Sequence, residues 1–213
     1  MDIAGNGFNL TDADGGIRLD ASGQGAFVQT AWSRANSDDA WLALDRNGNG
    51  TIDNGQELFG NFTQQPSSSA PNGFIALAEY DKTTNGGNND GRISSQDTIF
   101  NNLRLWQDVN HNGFSEASEL KTLPSLGLAS IDLDYRESNR TDEHGNRFKY
   151  RAKVRDVHGA QVGRWAWDVF PVAYQAQQPF SLIEFGKSDT MDGPRGFFDF
   201  DLSNYDKVCE NEF

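Results

Sequence analysis

Three loops between residues 45 and 119 constrain this chain most, because each spaces oxygen-bearing side chains two residues apart and then bends at a glycine. A hard cation such as calcium takes about six to eight oxygens, and an EF-hand-type loop supplies them from positions 1, 3 and 5, a carbonyl at 7, and groups at 9 and 12. The stretch DVNHNGFSEASE follows that pattern: Asp108, Asn110 and Asn112 stand at 1, 3 and 5, and Gly113 makes the bend. Phe114 offers its carbonyl at 7, Glu116 stands at 9 and Glu119 at 12. One departure is that the apolar residue expected at 8 falls at 7, as Phe114.

In LDRNGNGTIDNGQELFG, Asp45, Asn47, Asn49, Thr51 and Asp53 fill positions 1, 3, 5, 7 and 9, with Gly50 at the bend. Gln56 stands at 12 and Glu57 one residue later. A bulge at Gly55 would bring Glu57 round, so Glu57 is the expected ligand. The third loop is interrupted. Counted from Gly91, Asn88, Asp90, Arg92 (through its carbonyl) and Asp97 take positions 3, 5, 7 and 12, but Gly86 falls at 1. Asp81 returns to the first place if residues 82–87 loop outward, which costs little closure entropy. A fourth stretch, LDASGQGAF, has Asp20, Ser22 and Gln24 but no acidic residue after them, and reads as a degenerate loop or a hairpin turn. Two to three bound Ca²⁺ ions are expected, at intermediate or weak affinity.

The rest of the composition narrows the partners. A net charge of −13 over 213 residues argues against nucleic acid and against anionic membranes. The single cysteine, Cys209, excludes an internal disulfide framework and multi-thiolate metal sites. No apolar run is long enough for a spanning helix, and the start MDIAGNGF lacks a signal-peptide pattern and reads as the beginning of an excised piece.

Along the chain, residues 1–40 read as turns and short strands. Asn72 before GFIALAEY and Ser95 before QDTIF carry helix-start signals. From about 129 the pattern turns to hairpins, joined at DEHGN and VHGA. Phe148, Tyr150, Ala152 and Val154 alternate with Lys149, Arg151, Lys153 and Arg155, as in a strand with one wet face. The expected fold class is α+β: EF-hand-like calcium loops on short helices and strands, then an antiparallel hairpin sheet over about 129–172. Residues 173–213 form an acidic aromatic tail, against which the basic strip of that strand could dock.

These motifs, together with WLALDRNGNGTIDNGQELFG, RLWQDVNHNG, GNRFKYRAKVRD and GRWAWDVF, resemble a module near the ends of haemolysin-type (RTX-like) adhesins and toxins and of YD-repeat proteins of bacteria. The resemblance covers about residues 2–172. It implies calcium at the positions named, a large secreted or cell-surface parent chain, and no enzymatic activity in the module. Some such modules cut themselves at an Asp-Pro bond, a step absent from this sequence, so that activity is not carried over. Two rivals are a calcium-dependent module recognising a protein or glycan, and a hydrolase using paired carboxylates with structural calcium. His111, His144 and His158 read as exposed turn residues, and Trp106, Trp165 and Trp167 as packing.

Overall fold

The computed structural model describes residues 1–157 and 161–174, with backbone alone at 161–164. His158 and the tail from 175 onward lie outside the described residues. Among the described residues ten strands form three antiparallel sheets. Strands β1 (Ile17–Leu19) and β2 (Val28–Thr30) pair as a two-stranded ribbon. Strands β3 (Trp41–Ala43), β5 (Arg104–Trp106) and β6 (Leu120–Lys121) make a second sheet, with Trp41 opposite Trp106. The largest sheet runs β10 (Gln161–Phe170), β9 (Arg147–Asp156), β7 (Leu128–Asp132), β4 (Arg92–Ser94), and β8 (Arg136–Thr141) also pairs with β9.

The expected α+β class is overturned. Among the described residues one six-residue helix, α1 (Gly73–Ala78), is accompanied by three short 3₁₀ turns; α1 and the turn at Thr98–Asn101 border loop 81–97, but loops 45–57 and 108–119 sit between strands, and no pair of EF-hand helices frames any loop. The reason lies in the flanks. The apolar residues ahead of Asp45 and Asp108 are spent on β3 and β5, which hydrogen-bond to each other. After the loops the chain again pairs as strand: Leu58 bridges to Ala43, and Leu120 enters β6. The Ser95 signal leads only to a 3₁₀ turn at Thr98–Asn101. Asn72 does cap a helix, its side chain accepting the N–H groups of Phe74 and Ile75 at 3.0 Å. Such a cap satisfies two donors that a helix start leaves without partners.

β9 organises the main core. Tyr150, Ala152 and Val154 belong to it, while Phe148, also buried, packs instead on Phe8 and Trp167 where the pairing with β10 shifts register, and the residues between them are half-buried or exposed. Ile131 of β7 and Ile93 of β4 continue this apolar face, and Phe74 and Leu77 of α1 pack on it. Fully burying an aliphatic or aromatic side chain of this size contributes about 1.5–3 kcal/mol. The run ASIDLDYRES is not one strand: it breaks at Leu133–Tyr135, so β7 and β8 both lie along β9 in succession. A second cluster lies under the loops, where Trp32 stacks on Trp41 at 4.5 Å and meets Trp106 edge-on at 5.3 Å.

Candidate metal centre

Each of the three loops starts at the end of an apolar segment that anchors its first aspartate. Asp45 follows β3 and gathers the loop backbone: Oδ1 accepts Gly48 N–H at 2.7 Å and Asn49 N–H at 3.2 Å, and Oδ2 accepts Gly50 N–H at 2.8 Å. That wrap needs left-handed backbone at Gly48 (φ 74°) and Gly50 (φ 88°), which glycine adopts without steric cost. Asp53 Oδ2 accepts the side-chain amides of Asn47 at 2.9 Å and Asn49 at 2.7 Å, and Thr51 Oγ1 donates to its Oδ1 at 2.9 Å. These bonds, that to Asn47 foremost, hold the Asp53 carboxyl below its usual pKa.

Glu57, not Gln56, turns into this loop. Its Oε1 accepts Arg46 N–H at 2.9 Å and its Oε2 accepts Asp53 N–H at 2.8 Å. Gln56 instead donates to the Ser22 carbonyl at 2.7 Å. Gly55 stands in a turn closed by Glu57 N–H on the Asn54 carbonyl at 3.1 Å, with no left-handed backbone of its own, and a Cβ there would stand 2.3 Å from the Ala21 carbonyl.

The loop from Asp108 repeats this wiring. Asp108 Oδ1 accepts Asn112 N–H at 3.1 Å and Oδ2 accepts Gly113 N–H at 2.9 Å. Glu119 Oε1 accepts Val109 N–H at 2.8 Å, and Glu116 Oε1 accepts the amides of Asn110 (3.1 Å) and Asn112 (2.7 Å). Two indoles reach in from below: Trp32 Nε1 donates to Asp108 at 2.9 Å and Trp106 Nε1 to Glu119 at 3.3 Å. Phe114 turns its ring to solvent, and its carbonyl accepts Glu116 N–H at 3.2 Å. Glu116 is pushed down to about 2 by its hydrogen bonds to Glu119 and to the two Asn amides, while burial and the adjoining Glu116 raise Glu119.

In the interrupted loop, Asp81 takes the first place. It accepts Asp90 N–H at 3.1 Å and Gly91 N–H at 2.9 Å, and the inserted residues leave as a 3₁₀ turn at Thr83–Asn85. Asp97 closes the loop through Asn88 N–H (3.2 Å) and Ser94 N–H (2.7 Å). Asn88 Oδ1 accepts Asp90 N–H, and Asp90 Oδ1 accepts Arg92 N–H. The Arg92 side chain itself reaches back toward Asp90 at 4.0 Å.

Two further loops share the same backbone. Asp20 accepts the N–H groups of Gly23, Gln24 and Gly25, and Asp2 those of Gly5, Asn6 and Gly7. The stretch at Asp20, expected as a degenerate loop or hairpin turn, thus has the full first half of the fold of its neighbours, and Asp2 was missed altogether. Their shared signal is an aspartate followed by glycine three and five residues later, as in Asp45, Gly48 and Gly50. Alanine stands at position 12 of both, Ala13 and Ala31, and the loop at Asp2 is met instead by Asp38, which accepts Ala4 N–H at 2.5 Å. His111 is not a plain exposed turn residue either, because its ring nitrogens lie 2.6 Å from the Ser33 carbonyl and 2.8 Å from that of Gly15.

Loops 45–57 and 108–119 touch directly, Ile52 N–H donating to Ser115 Oγ at 2.6 Å. Among the described residues no three His, Cys, Asp or Glu side chains are assembled as a metal site. The loops mix carboxylates with Asn, Thr and carbonyl oxygens instead. Such an all-oxygen set suits a hard cation and offers nothing to a thiophilic one. Glu57, Asp81, Asp97, Asp108 and Glu119 are all buried, at most 6% exposed. None of the five has a Lys or Arg within ion-pair distance among the described residues. Buried charge without an opposite charge is costly, and a cation fits that deficit.

A model of the SPM domain matches residues 1–166. Over 149 residues the chain is 43% identical to the iron-regulated protein FrpA of Neisseria meningitidis serogroup C. The match covers 68% of this chain and 13% of FrpA, so the chain spans a small part of that relative's length. No described helix is long and apolar enough to cross a membrane.

Proposed function

The chain belongs to the SPM domain family, and we propose that within a larger bacterial secreted or cell-surface protein it is a calcium-binding module whose folding is completed by the ion after export. The observation that carries this is the set of five buried loop carboxylates lacking a cationic partner. Asp45, Asp81 and Asp108 hold the turn of each loop, and Glu57, Asp97 and Glu119 tie its end back to its beginning. Calcium supplies positive charge and a demand for several oxygens at once. Without such compensation the carboxylates repel, as the proton competition between Glu116 and Glu119 illustrates.

Because an ion that binds the folded loop better than the open chain adds folding free energy, the melting temperature should rise with calcium concentration. Calorimetric titration should return two to three ions per chain. Identical melting curves in millimolar calcium and in chelator would sink the proposal.

A further inference from the structure

One stretch of this acidic chain is rich in cations. Residues 136–155 hold seven of the 18 Lys and Arg residues but three of the 31 Asp and Glu. The register of the main sheet puts Arg136 opposite Arg151, Trp167 opposite Arg151 and Trp165 opposite Lys153, all on the face of β9 that points away from the core. There the guanidinium of Arg151 lies 4.6 Å from the ring of Trp165 and 5.4 Å from that of Trp167. Arg140 continues the ladder, 5.5 Å from Trp167 and 4.5 Å from Phe148.

Stacking fixes both guanidinium planes and covers the aromatic faces, so a ligand meets N–H edges. Arg155 on the same strand is paired with Asp132 at 2.9 Å. Arg140 and Arg151 have no carboxylate within ion-pair distance among the described residues. A guanidinium edge matches the two oxygens of a carboxylate.

We propose that this face of β8, β9 and β10 docks an extended acidic polypeptide. Charge complementarity selects an anion, and spacing selects its form. Arg151 and Lys153 are two residues apart on one strand, about 6.6–6.8 Å, the interval at which an extended peptide presents every second side chain. A strand with carboxylates at alternate positions therefore meets Arg151 and Lys153 in step, with Arg136 across the strand pair and Arg140 at the end of the row.

The test is fluorescence anisotropy of the full chain with a labelled (Glu-Thr)n peptide, a block peptide of identical composition, and a sulfated polysaccharide. The alternating peptide should bind about tenfold more tightly than the block peptide, and more weakly as salt rises. Replacing the exposed pair by Arg136→Gln with Lys153→Gln, outside the stacked ladder, should weaken it about fivefold with an unchanged melting curve. Equal binding of the two peptides, no binding, tighter binding of the sulfated polysaccharide, or an unaffected double variant each overturns the proposal. Arg151→Gln serves as a further check only where its melting curve matches the parent.

Discussion

At the scale of single residues, Glu119 carries two opposing effects. Burial and the adjoining Glu116 make its charge unfavourable, while its Oε1, accepting the Val109 N–H, holds the loop shut. Glu119→Gln should therefore melt higher than the parent in chelator and gain less from calcium. Thermal denaturation in both conditions would show the two curves crossing over.

Asp168 offers a pH test remote from the loops. It is buried on β10, accepts Gly73 N–H at 2.7 Å, and is raised from 3.8 to about 6 chiefly by burial. A carboxyl raised in the folded state binds its proton better there than in the unfolded chain. Its stabilising effect is thus fully present below about pH 4, is lost as pH rises to about 6, and is flat above that. The loss is about 3 kcal/mol. Asp168→Asn keeps an acceptor for Gly73 and should remove this slope, so its stability advantage over the parent should grow between acid and neutral pH. Denaturant midpoints of the two proteins across that range would measure it. Neither effect was legible in the sequence. The pairing of Glu116 with Glu119 depends on a loop closing, and the burial of Asp168 depends on α1 packing over β10.

Among the elements, those fixed by short-range chemistry were legible and those fixed by partners were not. Asn72→Ala should cost about 1–2 kcal/mol, because the residue caps α1 and is itself buried, and chemical denaturation would read it directly. The β9 alternation was equally plain, since a two-residue repeat over that length has one structural outcome. Expectation failed beside the loops, where three apolar residues suit a helix turn and a strand alike. Pairing of β3 with β5 decided it. Glu57 was legible as the closing residue only because the extra residue beside Gly55 could be absorbed, and a turn absorbs it without left-handed backbone at Gly55. Gly55→Ala should push loop 45–57 off the Ala21 turn and lower the melting temperature by several degrees, as a roughly 1–3 kcal/mol overpacking penalty implies for a domain of this size.

For the whole molecule, the loops and the tryptophan cluster are one assembly. The indoles of Trp32 and Trp106 donate to the first and last carboxylates of loop 108–119, so calcium titration should change tryptophan emission. Trp32→Phe should abolish much of that change while sparing binding at loop 81–97, which calorimetry would count. The sequence displayed three of the five related loops through their carboxylates. It showed the loop at Asp20 only as a degenerate one and left Asp2 unnoticed, because their likeness rests on glycines three and five residues after the aspartate and on the N–H groups that Asp2 and Asp20 gather.

β9 is the common partner of β7, β8 and β10, and through β7 of β4. A ribosome delivers residues 92–141 before it delivers their template. Until residue 147 and its successors emerge, β8 has no strand to pair with and β7 has only β4, whatever ions surround them. Completion of the main sheet is thus timed by chain order as well as by solvent.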